Sequence, residues 1–262
     1  MLIPQRQSKL REMLARRGMS DLDSLADELK VSASTIRRDL DALESEGLCK
    51  RTHGGVIWIG DRNSSSRPFA FDQRMSYELE TKRQIARAAK TLVRPGETIL
   101  IDGGTTTYYL AEELVGMDLQ IATNSLPIAN LFLDDEKVEL ILSGGVLYPR
   151  SGVLLGPLAE TALGTIHSKI FFLSVAGISD GSLYNQNLLL VESEYRMMQQ
   201  SQQVVLLADS TKFGQRALAR LCELREIHVV VTDANLGEDQ RAAVRRAGCE
   251  LIVAAQATTN DA

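Results

Sequence analysis

Cysteine and histidine are scarce, three of each in 262 residues. Cys49, Cys222 and Cys249 are far apart and form no C-x-x-C pair, and His53, His167 and His228 do not fall at metal-ligand spacing. A disulfide framework or a metal site is therefore not expected, and the thiols read as reduced, core-packed groups. No apolar run reaches the roughly 18 residues that a membrane-spanning helix needs. The opening MLIPQRQSKLREMLARRG carries arginines throughout and lacks the apolar centre of a secretory signal. These two absences point to a soluble, intracellular protein of the cytoplasm with no membrane partner. Neither G-x-G-x-x-G nor G-x-x-x-x-G-K-[ST] occurs, which removes the dinucleotide and Walker signatures, and no cofactor is expected. There is no heptad run, so self-association falls to a globular surface.

What is present divides in two. The net charge is −5, but residues 1–58 hold ten Lys/Arg against nine Asp/Glu, a balance of +1 that leaves −6 to the remainder. An excess this small does not itself predict nucleic-acid binding; position has to. Residues 5–17 read as a helix with Leu10, Met13 and Leu14 on one side and Gly18 as its stop. Ser20 or Asp21 caps a second helix with Leu22, Leu25, Ala26 and Leu29 on one face. Ser32 caps a third, running to about Glu46 before Gly47.

On a wheel of 100° per residue, Ile36, Leu40 and Leu43 share a narrow arc that must face a core. Ser34 and Arg38 fall roughly opposite, with Thr35 and Arg37 on the flanks. The first turns thus offer hydroxyls and guanidiniums outward, at a helix end whose free N–H groups favour phosphate. Arginine can fork onto guanine or clamp a phosphate, so this is the chemistry of a major-groove reading helix. Asp39, Asp41, Glu44 and Glu46 would lie beside or outside the groove. LCKRTHGGVIWI then reads as strand, Gly-Gly turn and strand, a basic wing carrying Lys50, Arg51 and His53.

The run VSASTIRRDLDALESEGLCKRTHGG resembles the N-terminal signature of the DeoR/GlpR family of bacterial transcriptional repressors. The resemblance implies a winged helix-turn-helix that binds double-stranded operator DNA through Ser34, Thr35, Arg37, Arg38, Arg51 and His53.

GDRNSSSRPF reads as a polar linker, and the stretch of about 73–93, with Arg74, Lys82, Arg83 and Arg87, as helix. From 98 onward, short β-branched runs (TILID, LQIATN, VELILSGG, KIFFLSVAG, QVVLLAD, IHVVVTD, CELIVA) alternate with amphipathic segments near 105–115, 157–164, 191–199 and 238–246. This is the pattern of a mainly parallel, doubly wound sheet, whose ligands sit at strand C-termini. Those ends carry Asp102-Gly-Gly and Thr105–Thr107, then Thr123–Ser125, Ser143–Gly145, and Asp209 with Ser210, Thr211 and Lys212. A Gly/Thr turn into a helix is an anion pocket, its glycines allowing a ligand close to the backbone.

The resemblance extends through DGGTTT, TNS, SGG, GVLLGPLAE, VESEYRMM and DSTKFG. It implies an α/β sensor domain related to ribose-5-phosphate isomerase and CoA-transferase-like folds. A phosphorylated sugar would be held by Asp102, Gly104, Thr105, Thr106, Asn124, Gly144, Gly145, Glu192, Asp209 and Lys212. Ser174 stands where the family often has Gly, and Arg196 where it often has Lys. The expected organisation is a DNA-binding head at 1–59, a linker at 60–76, a sensor at 77–255 and a disordered tail at 256–262. Palindromic operators would require a homodimer or homotetramer. The alternative is an isomerase-like enzyme with a DNA-binding appendage, since Asp102, Glu192, Asp209 and Lys212 are residue types that enediol chemistry uses.

Overall fold

A computed structural model describes residues 6, 7, 9–11, 13, 14, 19–45, 48–52, 55–58 and 71–255. The chain forms two compact units, Met1–Glu78 and Leu79–Ala262. His53, residues 60–70 of the expected linker and the tail 256–262 lie outside the described residues.

In the first unit the described residues between 6 and 14 are helical. Strand β1 (Met19–Asp21) leads into α1 (Leu22–Leu29), where Asp21 caps the helix by accepting the Ser24 N–H at 2.7 Å. Helix α2 (Ala33–Ser45) opens on Ser32, whose hydroxyl accepts the Thr35 N–H at 3.3 Å. Strands β2 (Cys49–Thr52) and β3 (Gly55–Trp58) make the hairpin read as a wing. The short β1 is an addition to the sequence reading. It pairs antiparallel with β3 and closes a three-stranded sheet ordered β1-β3-β2. Leu10, Leu14, Leu25, Ile36, Leu40, Leu43 and Val56 are fully buried in one core. At about 1.5–3 kcal/mol per buried aliphatic chain, this cluster is the main force holding the head together.

The segment read as linker and then one long helix is two helices, α3 (Phe71–Ser76) and α4 (Leu79–Lys90). Glu78, with φ of +51°, takes a left-handed turn that no continuous helix permits. The Arg74 guanidinium lies 5.8 Å from the Phe71 ring one turn earlier, which favours helix where linker was expected.

The second unit is built on seven parallel strands: β4 (Thr98–Ile101), β5 (Leu119–Thr123), β6 (Val138–Leu142), β9 (Ser168–Leu173), β12 (Ser201–Leu207), β14 (Val229–Thr232) and β15 (Glu250–Val253). All seven correspond to the apolar runs of the sequence. Phe171, Phe172 and Leu173 are fully buried, the continuous apolar character of a strand covered on both faces. Helices α5 (Thr105–Leu114), α6 (Leu126–Leu131), α7 (Pro157–Leu163), α8 (Leu188–Gln199) and α9 (Glu238–Arg246) occupy the connections. The sheet order is β15-β14-β12-β9-β4-β5-β6. The chain therefore winds outward from β4 in one direction and from β9 in the other. The crevice outside the C-terminal ends of β4 and β9 is the topological switch point.

Besides helix α6, two features of this unit were not read from the sequence. One is the hairpin β7 (Val146–Tyr148) with β8 (Val153–Leu155). The other is a small antiparallel sheet of β10 (Gly177–Ser179), β11 (Ser182–Asn185) and β13 (Ala219–Glu223). The β10–β11 turn is Asp180-Gly181, both with positive φ, a type I′ hairpin pair.

Candidate functional site

The head presents its polar row as the helical wheel requires. Ser34, Arg37 and Arg38 are exposed, Thr35 is half-buried, and Ile36, Leu40 and Leu43 are buried beneath them. Ser32 Oγ lies 2.8 Å from Ser34 Oγ and 2.9 Å from Thr35 Oγ1, tying the first turn into one hydroxyl cluster. Among the described residues neither Arg37 nor Arg38 has an ion pair, so both guanidiniums are free for a phosphate or a base edge. Arg51 stands on β2 in register with Val56. The acids do not all keep to the outer side: Asp39 is buried at 3% exposure and bonded to Arg6. The reason is its angular place on α2, between the buried Ile36 and Leu43 and away from Arg38.

In the second unit Asp102, at the end of β4, is buried and saturated with donors. Its Oδ1 accepts the Gly104 N–H at 3.0 Å and the Thr107 hydroxyl; its Oδ2 accepts the Ser174 N–H at 2.8 Å and the Ser174 hydroxyl at 2.9 Å. The carboxylate thus stitches the β4–α5 loop to the end of β9 across the switch point. Burial pushes the Asp102 pKa up, and the four donors oppose that. Asn185 Nδ2 extends the network: it donates to the Ser174 carbonyl at 3.4 Å and to both Glu194 oxygens at 2.7 and 2.8 Å. Glu194, on α8, is held well above the usual carboxylate range, first by burial and then by the Asp102 charge. Next to it, Ser193 Oγ accepts from Asn124 Nδ2 at 3.4 Å, which brings in the end of β5.

The glycines of this loop do something other than expected. A Cβ at Gly103 would lie 2.0 Å from Val153 Cγ1, and one at Gly104 would lie 1.6 Å from Ser174 Oγ. They admit the chain's own β8 and β9 ends, not only a ligand. Gly144 and Gly145 take positive φ, +70° and +116°, and the space around Gly144 is open. Glu192 also departs from expectation: it is exposed on α8, and the inward carboxylate two residues on is Glu194. Helical geometry explains this, because Ser193, Glu194, Met197 and Met198 form the buried stripe.

Three groups remain available. Thr105 and Thr106, in the first turn of α5, make no side-chain hydrogen bond among the described residues, whereas Thr107 bonds back to Asp102. Asn124 Oδ1 and Asp209 Oδ2 are buried acceptors with no partner. Asp209 spends only its other oxygen, capping the turn at Thr211. Lys212 is half-buried, on the same turn, with no ion pair among the described residues. A helix N-terminus with free hydroxyls suits an anion, and unpaired buried acceptors suit a ligand's hydroxyl donors. The cavity of about 400 Å³ bounded by Ile178, Gly181, Phe213, Arg225 and Ala243 lies outside this set of residues. Among the described residues no group of three His, Cys, Asp or Glu is placed to hold a metal.

Residues 6–62 match the family described as DeoR-like helix-turn-helix domain, and residues 78–234 match the DeoR C terminal sensor domain. The chain belongs to the DeoR family. Among DeoR relatives, an uncharacterized HTH-type transcriptional regulator, YulB of Bacillus subtilis, is 33% identical over 90% of this chain and 91% of its own. The L-fucose operon activator of Escherichia coli is 31% identical over 87% and 94%. A ribose 5-phosphate isomerase A from Methanocaldococcus jannaschii superimposes with a TM-score of 0.37 at 17% identity, covering 50% of this chain and 53% of its own. Within the DeoR helix-turn-helix match fall α1, α2 and the wing; within the sensor match falls the whole Asp102–Glu194 network. Two residues of that network, Asn185 and Glu194, were missed by the sequence reading. The signal for Glu194 was available, because the period of α8 separates it from Glu192.

Proposed function

We propose that this DeoR-family regulator acts as a cytoplasmic repressor of a carbohydrate-utilisation operon and takes a phosphorylated sugar at the C-terminal ends of β4, β5, β6 and β12. The observation that carries the sensor reading is the pairing of two chemistries there. Thr105 and Thr106 stand unbonded at the α5 N-terminus, and Asn124 and Asp209 each keep an unpartnered buried acceptor. The first suits phosphate, with Lys212 as its counter-charge; the second suits sugar hydroxyls. Gly144 leaves backbone open to the ligand and Gly145 carries the tight turn beside it against Leu155 and Ala159, while Asp102 and Gly104 hold the loop that presents the threonines. The head would read DNA through Ser34, Thr35, Arg37 and Arg38, with Arg51 and His53 of the wing on the backbone or minor groove. Two heads on one pseudo-palindrome call for at least a dimer.

The test is a thermal-shift screen of the whole protein against sugars, sugar alcohols and their phosphates, since a ligand that binds only the native state raises its melting temperature. The expected result is a rise with one sugar phosphate and none with its unphosphorylated parent. No response to any phosphate would overturn the effector reading. Turnover of ribose 5-phosphate would replace it with the isomerase.

A further inference from the structure

Asp39 is the one acidic residue that follows directly on the exposed Arg37–Arg38 pair, and it is not in water. Arg6 Nε and Nη2 donate to its two oxygens, the second at 3.0 Å, and Gln7 Nε2 adds a longer contact at 3.5 Å. The side chains are 12% and 4% exposed. The N-terminal helical segment thus grips α2 through a two-pronged, nearly dry ion pair, beside the aliphatic contacts of Ile36, Leu40 and Leu43.

We infer that Arg6 is a positioning residue for DNA reading: by clamping Asp39 it fixes the rotation of α2 about its axis. This rests on α2 being the reading helix. Aliphatic packing is non-directional and tolerates small rotations, whereas a guanidinium–carboxylate fork does not. A turn of about 20° carries a side-chain head roughly 6 Å from the axis through about 2 Å, enough to break a bidentate base contact. The same rotation leaves phosphate attraction almost unchanged, because that depends on charge and not on register. Specific and non-specific binding therefore separate a positioning role from a merely stabilising one.

The experiment uses full-length protein and two probes: a duplex enriched by the wild type from a random-sequence library, and a scrambled duplex of equal composition. Arg6→Lys keeps the charge but not the fork. It is expected to lower the ratio of selected to scrambled affinity by about tenfold, the size of one lost base contact, with scrambled binding unchanged. Asp39→Asn is expected to lower the ratio too while strengthening scrambled binding, since it removes a negative charge. If instead both affinities fall together and the ratio holds, the pair only stabilises the head and the inference fails. Should a single variant unfold, Arg6→Met with Asp39→Leu removes both charges and refills the space. A folded double variant with a low ratio supports the positioning role; a wild-type ratio overturns it. If the wild type enriches no sequence at all, the reading-helix assignment itself falls, which is a different failure.

Discussion

Arg37 and Arg38 stand exposed and unpaired on α2, while Asp102 at the switch point gives every lone pair it has to donors of its own chain. The two units place their polar residues by opposite rules. The head sets its polar groups on an exposed helix face, hydrated and free, over a core that does the folding. The sensor has a crevice between strand ends, so its polar groups are buried and most are consumed in shaping the loops. There, what a ligand can use is what the network leaves unpaired: Asn124 Oδ1, Asp209 Oδ2 and the Thr105 and Thr106 hydroxyls. A polar residue at a strand end is thus a weaker sign of ligand contact than an arginine on an exposed helix face.

The largest effect should come from the sensor's core. Phe171→Ala removes a fully buried ring from the central strand β9 and is expected to cost about 3–5 kcal/mol. Denaturant unfolding followed by circular dichroism would show this as a shifted transition, while binding to a wild-type-selected duplex persists at low denaturant. Loss of both together would break the comparison, because the units would then not fold as separate cores.

Next is Gly104→Ala, whose new methyl would fall 1.6 Å from Ser174 Oγ. Overpacking of this kind costs about 1–3 kcal/mol. Adding Ser174→Gly to the same chain empties the contested space and should recover most of the loss in a thermal melt. Failure to recover would mean that the hydroxyl bond to Asp102 matters more than the clash.

The sequence carried the head and the sheet far better than the crevice. Period 3.6 placed Ile36, Leu40 and Leu43 inward and Ser34 and Arg38 outward, because a surface helix has one core to satisfy. The seven apolar runs became the seven parallel strands for a different reason: a run such as Phe171–Leu173 is buried on both faces and so is continuously apolar. Asp39 was grouped with the acids beside or outside the groove, although the same wheel puts it next to Ile36 and Leu43; what the period could not supply was its partner, since Arg6 lies 33 positions earlier. Asp102, Ser174, Asn185 and Glu194 come from four elements, and only the fold brings them into one hydrogen-bonded chain. Short antiparallel strands such as β10 and β11 offer three or four residues each, too few for alternation to register. The Asp180-Gly181 pair was the one local signal for them.

Arg38→Ala sharpens the contrast from the head's side. It should weaken binding to the selected duplex by about 1–3 kcal/mol if the guanidinium forks onto a base. The sensor's melting temperature and any ligand-induced rise should not move. An unchanged duplex affinity would leave Arg38 as a solvated charge.

The smallest expected effect concerns Glu194, and pH reveals it. Burial and the neighbouring Asp102 raise its folded-state pKa well above the ordinary 4.5, so the folded protein holds this proton more tightly than the unfolded chain does. Below about 4.5 both states are protonated and the group costs nothing. As pH rises past that value the unfolded chain ionises first, and stability falls until the folded-state pKa is passed. Asp102, also raised by burial, acts in the same direction. Glu194→Gln removes one of the two titrations and keeps an oxygen for Asn185. The variant should melt like wild type near pH 4 and higher than wild type at pH 7–8. A difference independent of pH would mean that Glu194 acts by shape and hydrogen bonding alone.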